Sequence, residues 1–171
     1  MIKIRKEKSS DFESIKYVNN QAFNQPQEGN VIDKIRNTDS NILSLVAEMD
    51  NKIVGHIFFS SVEIEGYSEI KDGMGLAPMA VLPEYQKQGI GEMLINEGIT
   101  ILKEKNVPFI IVLGHEHYYP KFGFEISSKY GIKCQWEGIP DEVFMVMILD
   151  KNKMKNVKGV AKYREEWNEA V

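Results

Sequence analysis

The sequence predicts an α/β domain of the α+β kind, with flanking helices on a mixed and mostly antiparallel sheet. Three observations predict it. Short apolar or alternating runs between turn signals read as strands. Three stretches place apolar residues at helical spacing. Between residues 75 and 113 a strand, a helix and a continuous apolar run follow in order. That succession is a βαβ unit, right-handed by the crossover rule. The chain has 171 residues, 43% of them hydrophobic and 27% charged, enough for one domain with a real core.

The elements follow in order. Residues 2–5 alternate and predict a short strand. Ser10, Asp11, Phe12 and Glu13 form a capping box, and Ile15, Val18 and Ala22 continue at helical spacing. Residues 23–29 are a loop by composition, and a second helix is predicted over 30–36 with Val31, Ile32 and Ile35 on one side. Leu43–Met49 and Lys52–Ile64 flank Asp50 and Asn51, a two-residue hairpin turn. A third strand spans 75–82. The strongest helix spans 89–105, with Ile90, Met93, Leu94, Ile101 and Leu102 on one face. Gly98 lies on that stripe and would permit close packing on a sheet. Phe109–Leu113 is apolar throughout, as suits a strand buried on both faces. Residues 131–136 and 143–149 read as two antiparallel strands. Lys151, Lys153, Lys155 and Lys158 mark a charged, solvated tail. The expected organisation is a domain over 1–150 with 151–171 as a charged C-terminal segment of the same domain.

Composition narrows the function. The net charge is −4 and the pI about 5.5, which argues against nucleic acid as the main partner. A single cysteine, Cys134, excludes an intrachain disulfide and reads as a small packing residue. No apolar leader begins the chain and no run approaches 18 apolar residues. No membrane partner and a cytoplasmic location are therefore expected.

The turn before the strongest helix carries the chemistry. Pro83 ends the strand because it cannot donate to the ladder. Gly89 and Gly91 open the helix, where a backbone without side chains can approach a ligand closely. Unpaired N–H groups of the first turn favour a phosphate there. Gln86 and Gln88 add neutral donors and Lys87 a charge. A Walker loop needs Lys and Ser or Thr after its second glycine, and neither is present. A dinucleotide fingerprint needs a third small residue where Leu94 stands.

Gln86, Lys87, Gln88, Gly89, Ile90 and Gly91 match the Q/R-x-x-G-x-G/A signature, so the chain resembles the GNAT superfamily of acetyl-coenzyme-A-dependent N-acyltransferases. The lead-in over residues 79–85 and the later Tyr119, Gly123 and Phe124 resemble the same family. The chain is most similar to its YhbS-like branch, where residues 131–136 and 140–145 also fit. The resemblance implies a single-domain GNAT-like fold with a splayed parallel strand pair, and acetyl-coenzyme A as cosubstrate without a metal. Pro78 suits a bulge in the first of those strands. Backbone groups of Met79, Ala80 and Val81 would pair with the pantetheine and the thioester carbonyl. The amides of Gln86, Lys87, Gln88, Gly89, Ile90 and Gly91 would hold the pyrophosphate. Glu92 departs from expectation beside a diphosphate, and the helix dipole alone accounts for it.

The implied reaction is direct transfer of an acetyl group to a primary amine. Holding a lysine-like amine neutral at pH 7 costs about 4.6 kcal/mol, so the site must bind it neutral or take its proton. A backbone N–H, with Val81 as the candidate, would stabilise the oxyanion. Tyr119 matches the family's general-acid tyrosine, while Tyr118 reads as packing. The general base is not legible. Glu28, in the predicted interhelical loop that covers the acceptor site in similar proteins, is the candidate for acceptor binding and for the base, against a solvated loop carboxylate. His56 reads as structural. His115, Glu116 and His117 read as the cap of the short helix bearing Tyr119, because H-x-H without further ligands is a weak metal signal. A non-catalytic acyl-coenzyme-A sensor and an unrelated nucleotide-binding protein are the alternatives. The acceptor is an unidentified amine, and a homodimer is an expectation from the resemblance.

Overall fold

A computed structural model describes all 171 residues. The chain divides into two compact units. The first comprises Met1–Phe59, Ala77–Ile101 and Glu166–Val171, and the second comprises Ser60–Leu76 and Leu102–Glu165.

In the first unit, β1 (Ile2–Lys6) pairs antiparallel with β2 (Leu43–Met49), and β2 pairs antiparallel with the start of β3 (Lys52–Ile64). The β2–β3 turn is Asp50 and Asn51, both left-handed (φ 50° and 64°), as a type I′ hairpin demands. Helix α1 (Phe12–Phe23) buries Ile15, Val18 and Asn19 and ends at Asn24 in the left-handed cap conformation. No side-chain hydrogen bond caps its start, so the predicted Ser10 box is replaced. Instead the Asp11 carboxylate accepts the Lys8 N–H at 2.7 Å and two Arg5 guanidinium bonds at 2.7 and 3.0 Å. Those charge-assisted bonds outcompete a serine hydroxyl.

Helix α2 runs over Gln27–Thr38, three residues earlier than expected. Its buried stripe is Gly29, Val31, Ile32 and Ile35. Gly29 faces α1, where a Cβ would lie 3.1 Å from Lys16 Cγ and 3.2 Å from Asn20 Oδ1. Composition marks residues 27–29 as loop, but the packing of Gly29 on α1 recruits them into the helix.

Helix α3 (Ile90–Glu104) buries Ile90, Leu94, Ile95 and Ile99 in this unit. Each such side chain contributes roughly 1.5–3 kcal/mol of burial. Gly98 sits against Phe59 as predicted, since a Cβ there would lie 2.6 Å from the ring. Met93 is exposed, which rotates the buried face one position from the predicted stripe.

In the second unit, β5 (Phe109–Leu113) pairs parallel with β4 (Met74–Val81) and antiparallel with β8 (Phe144–Ile148). The short β6 (Glu125–Ile126) extends the sheet beyond β8. The predicted pairing of 131–136 with 143–149 is not formed. β7 (Ile132–Cys134) pairs parallel with β9 (Gly159–Tyr163), and β9 also pairs antiparallel with the end of β3. The segment expected to be a solvated tail therefore supplies a strand. Its lysines are exposed as predicted, while Met154, Val157, Ala161 and Tyr163 point inward and are buried. Lysine content masked the alternation. No helix is long and apolar enough to cross a membrane.

Candidate active site

Strand β4 is irregular where Pro78 lies. The Val62 N–H donates to the Gly73 carbonyl and the Leu82 N–H to the Val54 carbonyl, both at 2.9 Å. From Val54 to Val62 is eight residues along β3, and from Gly73 to Leu82 is nine along β4. The β4 side therefore carries one extra residue, which is a bulge. The parallel ladder with β5 covers only Met74, Gly75 and Leu76. Pro78, two residues further, has no N–H with which to extend it. Leu82 faces β3, so by alternation Met79 and Val81 present N–H and C=O to the opposite edge.

A tight turn over Pro83–Tyr85 follows, closed by Tyr85 N–H to the Leu82 carbonyl at 2.8 Å. Lys87 (φ 63°) and Gly89 (φ 84°) are both left-handed. Holding a lysine there costs about 1–2 kcal/mol, the kind of local strain that collects at ligand sites. Gln86, Lys87, Gln88 and Gly89 are exposed, while Ile90 is 1% exposed and anchors the helix start. The first intrahelical bond is Met93 N–H to the Gly89 carbonyl, 3.1 Å. The Ile90 and Gly91 N–H groups precede it and have no intrahelical acceptor. Such groups, with the helix dipole, form an anion site. The Gln86 side chain was expected to add a donor to that site. It instead donates through Nε2 to the Val81 carbonyl at 3.0 Å.

Glu28 is in the first turn of α2 rather than in a loop. The helix dipole favours a carboxylate there. Gln25 Nε2 donates to both its oxygens, at 3.0 and 2.9 Å.

Tyr119 belongs to the second unit. It begins a 3-10 turn, Tyr119–Phe122, whose start is capped by the His115 carbonyl accepting the Tyr118 and Tyr119 N–H groups at 3.1 and 3.3 Å. Tyr118 is the cap residue, so His115, Glu116 and His117 lie in the turn before the helix and are not its cap and first turn as expected. The Tyr119 ring meets Tyr118 edge-on at 5.2 Å and Phe124 at 5.7 Å, and it lies against Gly114. Tyr119 is buried while Tyr118 is half-exposed, so the two rings diverge as their adjacent positions require. Burial, and then the neighbouring Tyr118, raise the Tyr119 pKa above the ordinary tyrosine value. The phenol is thus kept in its acid form at neutral pH.

His56 is wholly buried, and burial followed by the Arg36 charge pushes its pKa down to about 3. Its partners form a chain that no local sequence signal indicated. Asn19 Nδ2 donates to His56 Nδ1 at 3.1 Å, and His56 Nε2 lies 2.8 Å from Ser44 Oγ. Ser44 donates to Glu7 at 2.5 Å, and Arg36 holds Glu7 with two bonds of 2.9 Å. Ser44 spends its proton on Glu7, so His56 donates from Nε2 and accepts at Nδ1. The neutral ring is fully satisfied, which makes it structural. Cys134 is half-buried on β7, and burial raises its thiol pKa.

The family model for the acetyltransferase (GNAT) domain matches residues 3–127. The uncharacterized N-acetyltransferase YhbS of Escherichia coli K12 is 30% identical over 166 residues, covering 96% of this chain and 98% of that protein. The crystal structure of Escherichia coli YhbS in complex with CoA superposes with a TM-score of 0.90 at 29% identity, over 98% of this chain and 92% of that one. A GNAT family acetyltransferase from Brucella melitensis, solved with acetyl-CoA, gives 0.80 at 32% identity over 98% of both chains. The mixed, mostly antiparallel sheet with its parallel β4–β5 pair and flanking helices is the fold that the sequence predicts, and this chain belongs to the acetyltransferase (GNAT) domain family.

Proposed function

We propose that this protein transfers an acetyl group from acetyl-coenzyme A directly to a primary amine, with Tyr119 as general acid. The observation that carries the cofactor assignment is the loop of Gln86, Lys87, Gln88, Gly89, Ile90 and Gly91. Two left-handed residues turn its backbone outward at the start of a 15-residue helix. Similar proteins from Escherichia coli and Brucella melitensis were solved with CoA and acetyl-CoA.

The loop amides receive the diphosphate, and each charge-assisted N–H bond adds about 1.5–3 kcal/mol. The edge of Met79, Ala80 and Val81 that faces away from β3 pairs with the pantetheine. The acceptor nitrogen attacks the thioester carbonyl, and the Val81 N–H stabilises the oxygen as it gains charge. The carbon–sulfur bond then breaks, and the Tyr119 hydroxyl gives its proton to the departing sulfur. The amine's proton leaves to Glu28 or to water. Glu28 serves acceptor binding on this reading, and its Gln25 bonds keep the carboxylate ordered.

The test is incubation with acetyl-CoA and a panel of amines, following free thiol. Tyr119→Phe should lower kcat by about 10²-fold or more and leave acetyl-CoA affinity near the parental value. Unchanged turnover would remove Tyr119 from the mechanism. Acetyl-CoA binding with no thiol release on any amine would leave a binding module only.

A further inference from the structure

We infer that Gln86 is a positioning residue whose side chain holds the reacting end of β4 and does not bind the diphosphate. This rests on the proposed seat of acetyl-coenzyme A along Met79, Ala80 and Val81. The peptide group joining Val81 to Leu82 is gripped at both ends. Its N–H donates to the Val54 carbonyl at 2.9 Å, and its carbonyl accepts Gln86 Nε2 at 3.0 Å. The first bond ties the peptide to β3. The second ties it to the start of the loop, across the turn Pro83–Tyr85.

Two consequences follow. The Val81 carbonyl faces the edge away from β3, and Gln86 occupies it. A ligand pairing along that edge is therefore directed to the Val81 N–H and to Met79. The amide nitrogen of Gln86 is also turned back toward the strand, where one of its two N–H donors is engaged by the Val81 carbonyl. Without it, the Val81–Leu82 peptide keeps the Val54 bond and loses its tie to the loop. Pro78 offers no N–H to replace the lost tie.

The prediction separates two parts of one ligand. Gln86→Met keeps length and removes the donor. Acetyl-CoA reaches both loop and strand, whereas 3′-phosphoadenosine 5′-diphosphate reaches the loop only. Calorimetric titration of Gln86→Met should show acetyl-CoA affinity down about tenfold, the size of one lost hydrogen bond. Affinity for the nucleotide should stay within about twofold of the parent, which also reports that the variant is folded. Gln86→Arg restores an N–H donor and should return the ratio of the two affinities to the parental value. Equal losses for both ligands would overturn the inference, because Gln86 would then be a phosphate ligand. No loss for either would overturn it as well. Failure of the underlying reading looks different: the parent itself would bind neither ligand.

Discussion

Replacing Gly89 tests whether backbone conformation, rather than side chains, makes the loop an anion site. Gly89 is at φ 84°, and a Cβ built on it meets no heavy atom within 4 Å. An added methyl group has no clash to relieve, so steric crowding by the protein drops out. What remains is the cost of holding an L-residue in the left-handed region, about 1–2 kcal/mol. That cost can appear in two places. If the loop keeps its shape without ligand, Gly89→Ala loses it from stability. For a chain of this size each kcal/mol lowers Tm by about 2–4 °C, so the fall is about 2–8 °C. If the loop relaxes and is rebuilt on binding, the same energy is lost from acetyl-CoA affinity, about five- to thirtyfold. The sum of the two losses should be about 1–2 kcal/mol. The assay pairs thermal unfolding of the free protein with calorimetric titration of acetyl-CoA. Gly89→Asn is the control, because asparagine tolerates φ above zero and should lose less than alanine. Parental Tm and parental affinity in Gly89→Ala together would refute the argument. Asparagine worse than alanine would show that bulk against the ligand, not φ, decides the position.

Two further outcomes follow from buried groups. The folded His56 resists protonation down to about pH 3, while an unfolded histidine takes a proton near pH 6.5. Between those values the unfolded chain binds the extra proton, so stability falls as pH falls, by up to about 1.4 kcal/mol per pH unit. Denaturant unfolding from pH 7 to pH 4 should show a shallower slope for His56→Gln than for the parent, and parallel curves would reject the assignment. Trp167 is 4% exposed, so Trp167→Ala should cost about 3–5 kcal/mol of unfolding free energy. Lys34→Ala removes only an exposed pair with Glu169 and should cost no more than about 1 kcal/mol. Equal effects from the two substitutions would show that charge, not burial, holds the C-terminal segment.

Legibility varied with the range of the interaction. The Asp50–Asn51 hairpin was readable because a two-residue turn is set by its own residues and the alternation on either side. Phe109–Leu113 was readable because a fully buried strand has no polar face to disguise it. β9 was not. Lys158 and Lys162 flank its inward Ala161 and Tyr163, and exposed lysine on alternate positions resembles a solvated tail. The sequence suggests the wrong partner for β7 for the same reason, because its true neighbour is β9. Composition marks Gln25, Pro26 and Gly29 as loop residues, and Glu28 with them. Packing of Gly29 on Lys16 and Asn20 decided otherwise.

The sequence by itself determined where the glycine-containing loop before α3 lies, and that the strand carrying Pro78 before it is irregular. Both depend on what a backbone can do locally: glycine permits a left-handed turn, and proline withholds a donor. Its match to a known signature also determined the family. Only the tertiary structure decided what the side chains do there. Gln86 turns back to Val81 instead of forward to the loop amides. His56 is neutral because burial, and then the Arg36 charge, disfavour its protonation, while Asn19 and Ser44 satisfy its two nitrogens. The Tyr119 pKa is raised by burial and then by the neighbouring Tyr118, with Phe124 and Gly114 against its ring. Those effects come from burial and from partners distant in sequence, and neither is encoded in a local pattern.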